Sequence, residues 1–289
     1  MRARSLWLAA AFLWSSATWA QTQPVKIQFK AVVGEEDFAC GRSYTGIGTT
    51  KSTIQPKDLR FYIHNVRLLD ETGKEVPVHL NQDGKWQLED VVLLDFEDGT
   101  GRCSNGNADL NMEVSGTVPG GHTYRGVRFL LGLPFDKNHT DITTMPSPLN
   151  LTSMSWSWNA GRKFARIEFT STGLPHGFIF HLGSTGCVPN TPMTAPPTSC
   201  SQSNVTEIFL PQFIPGESQV VADMAMLLKD SNVDATVKEY KNGCMSSPGN
   251  PDCAPLFTNL GLAFGANPAR PQTVFRLGNL QETSKSKQQ

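Results

Sequence analysis

Six cysteines constrain this 289-residue chain more than any other feature. Cys40, Cys103, Cys187, Cys200, Cys244 and Cys253 all follow an N-terminal stretch that reads as an export leader. Arg2 and Arg4 supply its positive end, residues 6–14 an apolar run too short to span a bilayer, and Thr18-Trp19-Ala20 a small-residue cleavage site. Residues 1–20 are therefore expected to be removed as a signal peptide, with no cysteine at the cut to carry a lipid. The short, simple leader implies the periplasm. In such an oxidising compartment an even number of cysteines reads as a disulfide framework. Sequence alone does not choose among the pairings. Local closure favours Cys187–Cys200 and Cys244–Cys253, each around a loop rich in Pro, Ser or Asn, and elimination then leaves Cys40–Cys103. A thiolate metal site is the competing reading, and the lack of any CxxC pair argues against it.

Beyond the leader the chain reads as short strands between turn signals. Residues 25–33 alternate, with Ile27, Phe29 and Ala31 on one face, and 59–69 form a longer strand with Leu59, Phe61 and Ile63 toward a core. Residues 91–96, 124–131, 164–169 and 178–182 follow the same style, and turns fall at 71–73, 83–84 and 119–121. Only 220–228 has apolar spacing that suits a helix. The stretch 188–203, rich in Pro, Thr and Ser, reads as a linker unless Cys187 and Cys200 pair, when it becomes a stapled surface loop. The expected fold is all-β, an antiparallel β-sandwich or barrel-like sheet with long disulfide-stapled loops. It forms one domain over 21–283, ahead of a disordered polar tail at 284–289.

A net charge of −1, with no basic run, makes nucleic acid and anionic membrane surfaces poor partners. No later run reaches the roughly 20 apolar residues of a membrane helix, so no membrane insertion is expected. The chain has no G-x-S-x-G, P-loop, H-E-x-x-H or C-x-x-C-H motif, and it is not expected to be an enzyme. Ser184, in a Gly-Ser-Thr-Gly turn near His181, reads as part of a turn leading to Cys187 before it reads as a nucleophile. His79 and His122 sit in polar contexts that suit solvated residues, and His176 lies in a Pro-Gly loop. His64 and His181 fall in strands and His139 in a loop, where imidazoles from neighbouring elements can converge on copper or zinc.

The segment Trp156-Ser157-Trp158 is unusual, because in a strand both rings face the same way. An aromatic wedge or a sugar-stacking platform would explain it. An indole nitrogen is a donor only, so Trp156 needs chemical modification before it can bind a metal through nitrogen.

PLNLTSMSWSW at 148–158, followed by GRKF at 161–164, resembles the MbnP family of metallo-mystery-pair proteins. FYIHNV at 61–66, LDFE at 94–97, LGLPF at 131–135 with Asn138-His139, FHLGSTGC at 180–187, and GCMS at 243–246 with Asp252-Cys253 extend the resemblance over most of the mature chain. The resemblance implies a periplasmic protein of copper homeostasis that holds one Cu(I). It also implies that the first tryptophan of the WxW motif, here Trp156, is oxidised to kynurenine by a MauG-like di-haem partner enzyme. Ring opening would give an aryl amine whose lone pair can face a metal. The expected ligands are His64, His139, His181 and the modified Trp156, with Trp158, Met154 and Met245 supporting them. Where the family commonly has an aromatic residue after Gly161, this chain has Arg162, a change expected to affect the surface near the motif. Two other readings compete: a carbohydrate-binding β-sandwich that stacks sugars on Trp156 and Trp158, and a hydrolase using a serine near His181.

Overall fold

The computed structural model describes residues 21–104, 106–156, 160–188, 196–240 and 242–280. The proposed leader, Trp158 and the proposed tail lie outside them. Alternating apolar residues build two packed sheets. The smaller has β1 (Thr22–Val33) at its centre. The larger is organised around β2 (Ser52–Asp70), a 19-residue strand. β3 (Val91–Asp95) lies along one edge of β2, while β4 (Glu113–Pro119) pairs with β1.

β5 (Tyr124–Leu131), β6 (Ala165–Ser171) and β7 (Phe178–Leu182) continue the larger sheet. β8 (Thr185–Val188) and β9 (Ser199–Gln202) form a separate hairpin, after which β10 (Thr206–Leu210) pairs with β5. β11 (Ser218–Asp223) returns to the smaller sheet, β12 (Gly243–Cys244) adds to β7, and β13 (Phe275–Asn279) closes on β11. The fold is an all-β sandwich with no closed barrel. Two pairings, β1 with β11 and β7 with β12, are parallel, since long crossings precede β11 and β12. Phe29 and Phe275 of the smaller sheet meet Phe61 and Phe129 of the larger, with ring centroids 5.6–6.5 Å apart. The expected helix at 220–228 is half strand: β11 ends at Asp223, whose carboxylate caps α1 (Met224–Leu228) by accepting from Ala225 N and Met226 N.

Cys187–Cys200 and Cys244–Cys253 pair as local closure suggests, and Cys40–Cys103 as elimination then leaves it. Where it is described, the stretch at 188–203 is stapled by Cys187–Cys200 and pairs as a hairpin arm at 199–202, while residues 189–195 lie outside the described residues. Among the described residues no helix is long and apolar enough to cross a membrane.

One seam positions everything that follows. Tyr62 donates its N–H to Phe164 O at 2.8 Å, and its carbonyl accepts the Gly132 N–H at 2.9 Å. Both groups of one strand residue point to the same edge. β5 and β6 therefore lie end to end along that edge of β2, and segment 133–163 leaves and re-enters the sheet at one place. A second segment, 183–205, does the same alongside: Phe164 N–H donates to Leu182 O at 2.7 Å, and Asn204 Nδ2 donates to Gly183 O at 2.7 Å. These two excursions meet over the outer face of the larger sheet. Between 58 and 64, β2 is consequently buried on both faces, not only at the odd positions.

Candidate metal centre

The outer face carries charge where the inner face carries the apolar core. Asp58, Arg60, Tyr62 and His64 alternate on β2, Arg166 and Glu168 on β6, and His181 on β7, and all are buried. Asp58 accepts from Arg60 and from Arg166 Nε (3.0 Å). Glu168 Oε1 accepts from Arg166 Nε at 2.7 Å and from His181 Nε2 at 2.8 Å. Burial alone would raise the Glu168 carboxyl, but the hydrogen bonds from His181 and Arg166 outweigh it and hold the group at about 2. Overhead, the Ser153 carbonyl accepts from Lys163 Nζ (2.9 Å) and Arg166 Nη1 (3.1 Å), and Ser153 Oγ accepts from Arg60 Nη1 (3.3 Å). The ionic cluster thus clamps the 3-10 turn Thr152–Met154, which leads directly into Trp156.

This cluster fixes the tautomer and direction of His181. Its Nε2 donates to Glu168, which leaves the lone pair on Nδ1, a buried atom with no hydrogen-bond partner among the described residues. A carboxylate behind a histidine is the arrangement that fixes tautomer and direction in metal sites. Burial pushes the His181 imidazole below its ordinary value, against the pull of Glu168, and so favours the neutral form that binds metal.

Trp156 reaches the same place from above. Its backbone N–H donates to Gly161 O at 3.1 Å, and its six-membered ring fills the space above Gly183. A Cβ on Gly183 would lie 2.4 Å from Trp156 Cζ3 and 2.5 Å from Cη2, so only glycine fits. Gly183 is two residues beyond His181 in extended chain, on the same face. Trp156 Nε1 is likewise buried without a partner among the described residues.

His139 approaches from the other end of Trp156, since a Cβ on Gly161 would sit 2.9 Å from His139 Cε1. Asn138 Oδ1 accepts the Arg162 N–H at 2.7 Å, which turns its amide so that Nδ2 faces His139 Nε2 at 3.1 Å. Assigned in this way, His139 Nε2 is an acceptor. It also faces the Cys187–Cys200 disulfide, 3.4 Å from Cys200 Sγ and 3.9 Å from Cys187 Sγ. A disulfide sulfur lacks the thiolate charge that makes cysteine a strong ligand.

The structure thus gathers His139, Trp156 and His181 at the meeting of the two excursions. His64 stands apart. Arg60, Arg166 and His181 lie in one line across the sheet. His64 is four residues further along β2, which puts its Cα about 16 Å from that of His181 at ordinary strand spacings. Its Nδ1 is engaged with Gly132 O at 2.9 Å. Met154 is fully buried in the core, while Met245 is exposed. His79, His122 and His176 are exposed, as expected. Arg162 is not at the surface: it is 1% exposed, with Nε on Leu149 O (2.8 Å) and Nη1 on Lys137 O and Asn138 O (2.6 and 2.9 Å). It ties together the carbonyls of the segment that carries His139. Ser184 Oγ donates to Ser203 O at 3.0 Å, an arrangement without a base for nucleophilic catalysis.

Glu168, Gly183 and Ser246 were not singled out from the sequence. Ser246 Oγ donates to His181 O (2.9 Å) and accepts the Gly183 N–H (3.1 Å), stitching the β12 region to the site. For Glu168 a signal existed, in the charged alternation Arg166, Glu168 beside an apolar one.

Fold and site together define a disulfide-stapled β-sandwich that collects histidine nitrogens and one indole beneath loops thrown from a single seam. The chain belongs to the MbnP family, whose model matches residues 22–246, and that family is associated with copper. A solved structure, MbnP from Methylosinus trichosporium, is similar at 28% identity with a TM-score of 0.77, covering 90% of this chain and 99% of that one. No curated protein matches.

Proposed function

We propose that this protein binds one Cu(I) ion in the periplasm as part of copper homeostasis, after a MauG-like di-haem partner has oxidised Trp156 to kynurenine. It acts as the partner's substrate and not as an enzyme. The observation that carries this reading is two buried nitrogens without a hydrogen-bond partner among the described residues, His181 Nδ1 and Trp156 Nε1, the Trp156 ring lying against Gly183, two residues from His181. A native interior seldom tolerates such atoms without a use. The residues fit a copper ion: neutral imidazoles suit it, and a soft monovalent ion adds little charge to a site whose carboxylate is already paired.

In this reading Glu168 holds the His181 proton on Nε2 and aims Nδ1. Gly183 leaves room for the ring of residue 156, and the Ser153 clamp fixes the turn before it. His139, held by Asn138 and Arg162, supplies the second imidazole. His64 has no part in the ligand set of this reading, since its Nδ1 is engaged with Gly132 O and ordinary strand spacing puts its Cα about 16 Å from that of His181. Opening the indole ring turns a donor-only nitrogen into an aryl amine with an available lone pair, and copper, when bound, supplies the preference for such soft or borderline donors.

A carbohydrate platform fits less well, because Trp156 is half-buried with its ring against Gly183. Peptide mapping of the segment containing Trp156, in protein made with and without the partner oxidase, tests the modification. Kynurenine at position 156 is expected only with the oxidase. Unmodified tryptophan in copper-loaded protein from the native host would refute it.

A further inference from the structure

We infer that Cys187–Cys200 is a reducible wall of this centre, and that its two thiolates together with His139 form a second, sulfur-rich site for a soft metal ion. The disulfides differ in access. Cys40, Cys103, Cys244 and Cys253 are each 0–1% exposed, whereas Cys187 and Cys200 are both half-exposed on the short β8–β9 hairpin. A reductant therefore reaches this pair first.

The geometry of the third ligand is already set. His139 Nε2 lies 3.4 and 3.9 Å from the two sulfurs. With metal–sulfur bonds of about 2.3 Å and metal–nitrogen bonds of about 2.0 Å, as for zinc, those separations correspond to N–metal–S angles of about 104° and 130°. The sulfurs, bonded to each other, must part before both can bind one ion, and the imidazole stands within reach of either of them. Nε2 is the unprotonated nitrogen, and its lone pair, which accepts from Asn138 Nδ2 at 3.1 Å, passes to the metal when that hydrogen bond is given up. Two thiolates and an imidazole form a set that suits Cu(I).

The chemistry balances with a dithiol as reductant. One dithiol gives two electrons and two protons, the Cys187–Cys200 bond breaks to two thiols, and the dithiol closes to its own disulfide. Metal binding then displaces the two thiol protons. The oxidised protein keeps His139 for the Trp156 centre, whereas the reduced protein draws it toward the hairpin. This gives one polypeptide two metal-holding states that differ by two electrons.

The test uses the full mature chain and does not depend on kynurenine. Protein treated with a mild dithiol is mapped by alkylation and mass spectrometry, then titrated with Cd(II) while thiolate-to-metal charge-transfer absorption is followed, with Cu(I) competition alongside. Alkylation is expected at Cys187 and Cys200 alone, followed by one Cd(II) per chain with a thiolate band. Cys187→Ser and Cys200→Ser should abolish the band, and His139→Ala should weaken binding by at least about tenfold. Trp156→Phe, which removes the proposed copper ligand, should keep the band, so failure of either idea is visible separately. Should the Ser variants not fold, reduced wild-type protein alkylated at both cysteines serves instead and should show no band. Opening of a buried disulfide before Cys187–Cys200, a reduced protein without a thiolate band, or unchanged affinity in His139→Ala would overturn the proposal.

Discussion

The two faces of the larger sheet are built from the same strands and do opposite work. On the inner face Leu59, Phe61, Ala165 and Ile167 bury apolar surface against the smaller sheet. On the outer face, one residue out of register, Asp58, Arg60, Arg166, Glu168 and His181 are buried just as deeply but as ions and imidazole. A buried ionic network is weak as a source of stability, because desolvation offsets most of the attraction. It is strong as a positioning device, because every partner has only one satisfied arrangement. The inner face therefore holds the fold, and the outer face holds the geometry of Trp156 and His181.

Truncation on each face should separate these roles. Phe61→Ala removes a ring packed against Phe29, Phe96 and Phe275 and should cost about 3–5 kcal/mol of stability by denaturant titration, while copper stoichiometry in the folded fraction stays the same. Glu168→Gln should do the reverse. It releases the His181 tautomer and should weaken copper binding about 10–100-fold in a competition assay, with a smaller change in the unfolding midpoint. Equal loss of stability in both variants would erase the distinction between the faces.

The smallest effect is in pH. His64 and His181 are both held below the ordinary imidazole value of 6.5 by burial. As pH falls through 6.5 the unfolded chain takes up these protons before the folded one, so stability of the metal-free protein should start to decline there and continue toward their folded values. Glu168 adds a later step: its contribution is full above its unfolded value of 4.5 and is lost as pH falls toward about 2. Urea midpoints at pH 7.5 and 5.5 check the first step, and His181→Asn should reduce the difference.

The apolar core between the sheets was legible in the sequence because apolar alternation reports burial directly, as at Ile27 and Phe29 on the smaller sheet and Leu59 and Phe61 on the larger. Two disulfides were legible because short loops close locally, and the third followed by elimination. The outer face was not, since charged alternation at Arg166 and Glu168 looks like a solvated surface until a segment from elsewhere in the chain covers it. Arg162 misled for the same reason: nothing local tells that it lies under the carbonyls of residues 137, 138 and 149. His64 shares its face with His181, but residue type and strand parity say nothing of the distance along the strand. Gly183 shows the complementary problem, since a glycine after a strand reads as a turn, and its purpose is visible only with the Trp156 ring in place.

The central claim is that residue 156, once oxidised, holds copper together with the histidines. The most direct measurement is copper content and affinity of wild-type and Trp156→Phe protein, each produced with the partner oxidase. One tightly held copper per wild-type chain, lost in Trp156→Phe with the fold intact, is the predicted result. A Trp156→Phe protein that binds copper as tightly as wild type would contradict it.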